Sequence, residues 1–283
     1  MKDHESTGQI APARFCQDPS PPPYQAGWFL VDQAKCPDAL KTLFETEQRP
    51  QYDLPYLYSG FNEQAYHGPL LIEPVEEACR DWLERWLADG KALALYGQNL
   101  SIETVRDHWV SLNWINTPTG EGFFRYADPA SFAGVGLSLS LHQCQRLLGP
   151  FAAIQGCHAG VHWSLEHYDS DNSVTSVGAD PGTFQFTSNN VAAIVAYRRR
   201  LLAHSLAEQH QLPPQLLEDW FSQLTSLGAP TEKALVEASE LLITAGCTAL
   251  IGDQLKETLR CAGDAWSDRL EALADMDDLQ EGP

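Results

Sequence analysis

Positive charge is scarce in this chain: 283 residues carry 18 Lys and Arg against 38 Asp and Glu, a formal net charge of -20. That balance excludes the basic surface that nucleic acids and anionic membranes require. No uncharged apolar run approaches the roughly 18 residues of a membrane-spanning helix. The opening stretch Met-Lys-Asp-His-Glu-Ser-Thr-Gly-Gln lacks the apolar segment of a secretory signal, so the cytoplasm is the expected location. Seven cysteines, Cys16, Cys36, Cys79, Cys144, Cys157, Cys247 and Cys261, include no C-x-x-C pair. They are expected to be reduced thiols used as small core residues. No G-x-S-x-G elbow is present, since Gly136-Leu137-Ser138-Leu139-Ser140 lacks the second glycine, and Gly134-Val135-Gly136 has no Walker lysine.

What is present reads as two lobes. Residues 1–26 end in a proline-rich run, Asp18-Pro19-Ser20-Pro21-Pro22-Pro23, and form an expected flexible leader. Short apolar strands are predicted at Trp28-Phe29-Leu30-Val31-Asp32, Tyr56-Leu57-Tyr58-Ser59-Gly60, Pro69-Leu70-Leu71-Ile72 and Ala92 through Tyr96. Between them, residues 37–44 read as a helix. Val75, Ala78, Cys79, Trp82, Leu83, Trp86 and Leu87 recur at helical spacing, opened by Pro74 and followed by Gly90. Ser101 and Ser140 cap two further helices, the second stopped by Gly149-Pro150. The alternation predicts a mixed α/β module over 27–155.

Trp114 and Ile115 lead through the turn Thr117-Pro118-Thr119-Gly120 to a returning strand over 123–126. There Arg125 sits three residues before Asp128, and Asp128-Pro129 is a helix start. A guanidinium in such an apolar run must be paired or aimed at a cleft. The strand ending in Asp32, the run Leu57-Tyr58-Ser59-Gly60, the segment Gly68-Pro69-Leu70-Leu71-Ile72, the tryptophan-rich helix, the hairpin into Phe124-Arg125-Tyr126-Ala127-Asp128-Pro129 and the Gly149-Pro150-Phe151 stop together resemble the type VI secretion effector adaptor family. Its shared module is domain of unknown function 4123, and the resemblance covers about residues 27–155. It implies a non-enzymatic chaperone without cofactor that binds a toxic effector in the cytoplasm and delivers it to a spike protein of the VgrG or PAAR kind. Asp32, Arg125 and Asp128 match the module's acidic and basic positions, where the resemblance implies a structural role or contact with a partner.

Beyond the module, residues 156–182 read as a linker, 183–274 as an all-α helical lobe and 275–283 as an acidic tail. Helices are expected from Thr187 or Ser188 to about His210, around Leu217, Trp220, Phe221 and Leu224, from Thr231 through Ala245, and over one final stripe of Leu255, Leu259, Ala262, Trp266, Leu270 and Leu273. Arg198-Arg199-Arg200 is a solvated face or a docking point for an acidic partner. Cys157, His158, His162 and His167 offer zinc-ligand chemistry, with the two nearer histidines spaced for one helix face, although no glutamate follows His158 as in H-E-x-x-H. This keeps a zinc hydrolase centred on 157–167 as the alternative to an adaptor, beside a toxin-neutralising, immunity-like binder. Asp169, Asp171, Ser173, Thr175 and Asp180 imitate a calcium loop without its glycine and glutamate.

Overall fold

A computed structural model describes residues 13–17, 19, 25–167, 183–263 and 265–274. The calcium-like spacing and the acidic tail lie outside the described residues. The chain divides into two compact units, 1–194 and 195–283. The first is rich in β-structure with helices, and the second is all helical.

The first unit is built on seven strands: β1 (Ala13–Gln17), β2 (Trp28–Asp32), β3 (Gln51–Asp53), β4 (Pro69–Glu73), β5 (Ala92–Tyr96), β8 (Ala153–His158) and β9 (Val161–His167). Their order is β1-β9-β8-β5-β2-β4-β3, and every pairing is antiparallel. The sequence explains the layering. Period-two alternation sends Trp28, Leu30, Leu71, Leu93 and Leu95 into one core and Phe29, Val31, Leu70, Ile72, Ala92 and Ala94 into another. Antiparallel sheets commonly leave one face in water; here both are covered, which is why the strands read as unbroken apolar runs. Helices α1 (Ala39–Thr46) and α2 (Glu77–Ala88) supply Ala39, Leu43, Cys79, Trp82 and Leu83 to one side. The other side receives α3 (Ile102–Val110), α4 (Pro129–Val135) and α5 (Leu141–Leu148), together with a small sheet of β6 (Trp114–Thr117), β7 (Gly120–Phe123) and β10 (Phe184–Gln185) ordered β10-β6-β7.

Helix ends follow the expected chemistry. Ser101 Oγ accepts from Thr104 N, and Ser140 with Gln143 forms a reciprocal capping box. Gly149 stops α5 at φ +55, where a Cβ would meet the His108 ring at 2.2 Å.

Several expectations are corrected. Residues 56–60 are not a strand: Pro55–Tyr58 is a 3-10 helix, because Pro55 supplies no N–H for a ladder. Val75 precedes α2 and is 65% exposed. The hairpin's return strand is Gly120–Phe123 rather than 123–126, since Tyr126 N bonds back to Phe124 O and bends the chain away. Within the expected flexible leader, Ala13–Gln17 is a strand that pairs along β9. Nor is 157–167 a linker or a helix: it is most of a β-hairpin, turned at Ala159 (φ +51) and Gly160 (φ +75). Two consecutive positive φ values match the twist of antiparallel strands.

The second unit packs the C-terminal part of α6 (Ser188–His210) with α7 (Pro214–Ser226), α8 (Glu232–Thr244), α9 (Asp253–Cys261) and α10 (Trp266–Ala274). Its core holds Ala203, Leu217, Trp220, Phe221, Leu224, Leu235, Ala238, Leu242, Leu259 and Leu273. The last stripe is two helices rather than one. Gly263, at φ +151, breaks it, and a Cβ there would lie 2.4 Å from Asp268 Oδ2.

Candidate functional site

Asp32 ends β2, where the sheet delivers its carboxylate to the edge of the core at 3% exposure. The turn that follows folds onto it: Lys35 N and Cys36 N both bond Asp32 O, and Ala34 N donates to Oδ1 at 3.1 Å. Arg125 Nη2 donates to Oδ2 at 3.0 Å. Burial raises the Asp32 pKa above the ordinary carboxylate range, and Arg125, the first opposing influence, pulls it back.

Asp128 N bonds back to Arg125 O at 3.1 Å, but the two side chains take different partners. Asp128 caps α4 by accepting from Ala130 N at 3.0 Å and takes Lys35 Nζ at 2.7 Å. Lys35 Nζ also reaches Gly90 O at 3.3 Å. Two ion pairs therefore stitch the end of β2 to the start of α4 across most of the module's sequence. His158 joins the group from β8: burial lowers its pKa, helped by Lys35 and opposed by Asp128. Tyr56 lies beside Arg125 and Asp32, its phenol held well above the ordinary range by burial.

Sequence marks Asp32, Arg125 and Asp128 for this cluster and His158 only as a zinc ligand; it does not mark Lys35 or Tyr56. Lys35 had a local signal, standing three residues after the strand-end aspartate in a turn. His158 carries a histidine-cluster signal that points to metal rather than to this group, because its place depends on the β8 pairing.

An exposed aromatic cluster adjoins the ion pairs. Phe123 lies 5.7 Å from Tyr56, 4.6 Å from Phe61 and 6.4 Å from Trp114, and Phe61 is 5.2 Å from Trp114. Trp114 is 50% exposed and Phe123 37%. Large rings in water carry a cost that contact with a partner removes.

The other marked residues are dispersed. Arg198 pairs with Glu232 at 2.8 Å, Arg199 Nη1 reaches Thr225 Oγ1 at 3.4 Å, and Arg200 lies over the Tyr197 ring at 5.4 Å. Three neighbours on one helix thus take three directions. The helix-face zinc constellation is corrected by the strands. Cys157 is buried opposite His162, His158 feels the charges of Lys35 and Asp128, and His167 stands at the far end of β9, about 17 Å along the strand from His162 at strand rise. Among the described residues no group of three His, Cys, Asp or Glu is arranged to hold a metal ion. Burial pushes the thiols of Cys36 and Cys144 up to about 11 and that of Cys79 up to about 12, so they stay protonated and poorly nucleophilic at neutral pH. No described helix is long and apolar enough to cross a membrane.

Residues 28–146 match the family described as Domain of unknown function (DUF4123). The matched segment is less than half of the chain, yet it contains Asp32, Lys35, Arg125 and Asp128, with the aromatic cluster beside them. Searches of curated proteins and of solved structures returned no match.

Proposed function

We propose that the chain is a cytoplasmic adaptor that binds a toxic effector of a type VI secretion system and loads it onto a spike protein of the VgrG or PAAR kind. It acts by stoichiometric binding and breaks no bonds. One observation carries the reading: the family match falls on the segment whose strand-end aspartate and F-R-Y-A-D-P element resemble the adaptor module, and those residues form one joined cluster. Two features support it. The ion pairs fix the shape of a surface, and exposed aromatics adjoin them. The net charge of -20 opposes self-association while such apolar surface is on offer.

Deletion of the gene tests the proposal. The toxin should accumulate inside the cell and disappear from the medium, while spike assembly and secretion of unrelated cargo continue. Unchanged toxin export would contradict the reading. Self-intoxication of the deletion strain, with export intact, would mark a neutralising binder instead.

A further inference from the structure

The small sheet ends at β7, with no neighbour on its outer side among the described residues. Its register fixes what that edge presents. Phe124 N donates to Asn113 O, so the pairs 113 with 124, 115 with 122 and 117 with 120 share one parity and turn their backbone groups inward to β6. Antiparallel pairs alternate, so the N–H and C=O of Glu121 and Phe123 point away from the sheet. The strand is short; its own outward-register residues are Glu121 and Phe123, with Trp114 and Phe61 against the Phe123 ring, and it carries no lysine or proline of the kind that blunts unpaired strands. Two residues past Phe123 stands Arg125, its side chain 53% exposed and Nη2 given to Asp32. In a chain of net charge -20 it is an exposed guanidinium beside an apolar face.

From this juxtaposition we infer that β7 takes an extended segment of another protein as an added strand. The segment is apolar at alternate positions, to lie beside Phe123 and Trp114, and carries a carboxylate at the end that meets Arg125. Main-chain groups of Glu121 and Phe123 supply the ladder, the rings supply burial and the guanidinium sets the direction of the strand. The inference rests on reading the chain as a binding protein and names the chemistry of one of its contacts.

Selection of random linear peptides displayed on phage against the full chain tests it, since the probe requires neither toxin nor spike. Enriched peptides should alternate apolar residues with polar ones and end in Asp, Glu or a free carboxylate. Synthetic copies should slow amide exchange at Glu121 and Phe123. Glu121→Pro removes an outward N–H at an edge where proline is tolerated and should weaken binding about tenfold, whereas Glu121→Ala should leave it within about twofold. If Glu121→Pro fails to fold, exchange in the wild-type chain still decides. Enrichment of no common pattern, binding that leaves both amides unprotected, or equal affinity in the two variants would overturn the inference. So would a dimer of the chain that Glu121→Pro dissolves, which would give the edge to a second copy. Peptide capture without any toxin or spike complex would refute the adaptor reading alone, and the reverse result would refute this inference alone.

Discussion

Arg125 and Asp32 form a pair whose halves differ: the guanidinium side chain is 53% exposed and the carboxylate 5%. Replacing the exposed member leaves a buried charge partly served by Ala34 N and Lys35. The expected cost of Arg125→Ala is about 1–2 kcal/mol, between the limits for exposed and buried pairs. Urea denaturation of Arg125→Ala, Asp32→Asn and the double variant should give less loss in the double than the sum of the singles. Strict additivity would mean that the pair contributes nothing. His108 makes a second prediction. It is fully enclosed, Nε2 bonds Leu147 O at 3.0 Å, and burial lowers its pKa to about 3. The unfolded chain binds this proton below about pH 6.5 and the folded chain only near pH 3, so stability is complete above the first value and falls as pH drops through the window, at up to about 1.4 kcal/mol per pH unit. His108→Gln, measured by denaturation at pH 7 and pH 4.5, should lose less stability between the two than the parent. An equal loss would place the acid sensitivity elsewhere.

At the scale of elements, Ala159 carries a testable strain. It occupies φ +51 in the two-residue turn joining β8 and β9, a conformation that costs an alanine about 1–2 kcal/mol. Ala159→Gly should therefore stabilise the chain by about 0.5–1 kcal/mol, read as a higher denaturation midpoint. A lower midpoint would contradict the turn geometry. The same turn shows how far sequence reasoning reaches. Helices opened by a capping serine, α3 and α5, the second also closed by Gly149, were legible because such signals lie within one turn of the boundary. So were the buried strands β2, β4 and β5, each a compact apolar run. The β8–β9 hairpin was not, since Ala159-Gly160 lacks the usual Asn-Gly and the histidines imitate a helix face. Gly263 likewise splits a stripe whose apolar spacing runs on through the break. In the candidate site, Asp32, Arg125 and Asp128 stood out by residue type, while the partner of each is set by tertiary pairing across about ninety residues of chain, which local pattern does not encode.

Over the whole molecule, separate cores define two units, and each should respond to its own mutations. Trp220 is fully buried in the helical core, with Nε1 bonded to Ala249 O at 2.7 Å. Trp220→Ala should cost about 3–5 kcal/mol. Hydrogen exchange should quicken in α7, α8, α9 and α10 while amides of β2, β4 and β5 keep their protection. Equal acceleration in both units would show that they unfold as one. The adaptor reading makes its own demand of the intact chain, because a protein that works by surfaces must hold both partners at once in fixed proportion. Sedimentation of the purified chain with the proposed toxin and spike partners is the most direct measurement. A single complex containing all three in constant ratio should form, and only when this chain is present. Toxin and spike associating equally well without it, or the chain binding neither, would contradict the account.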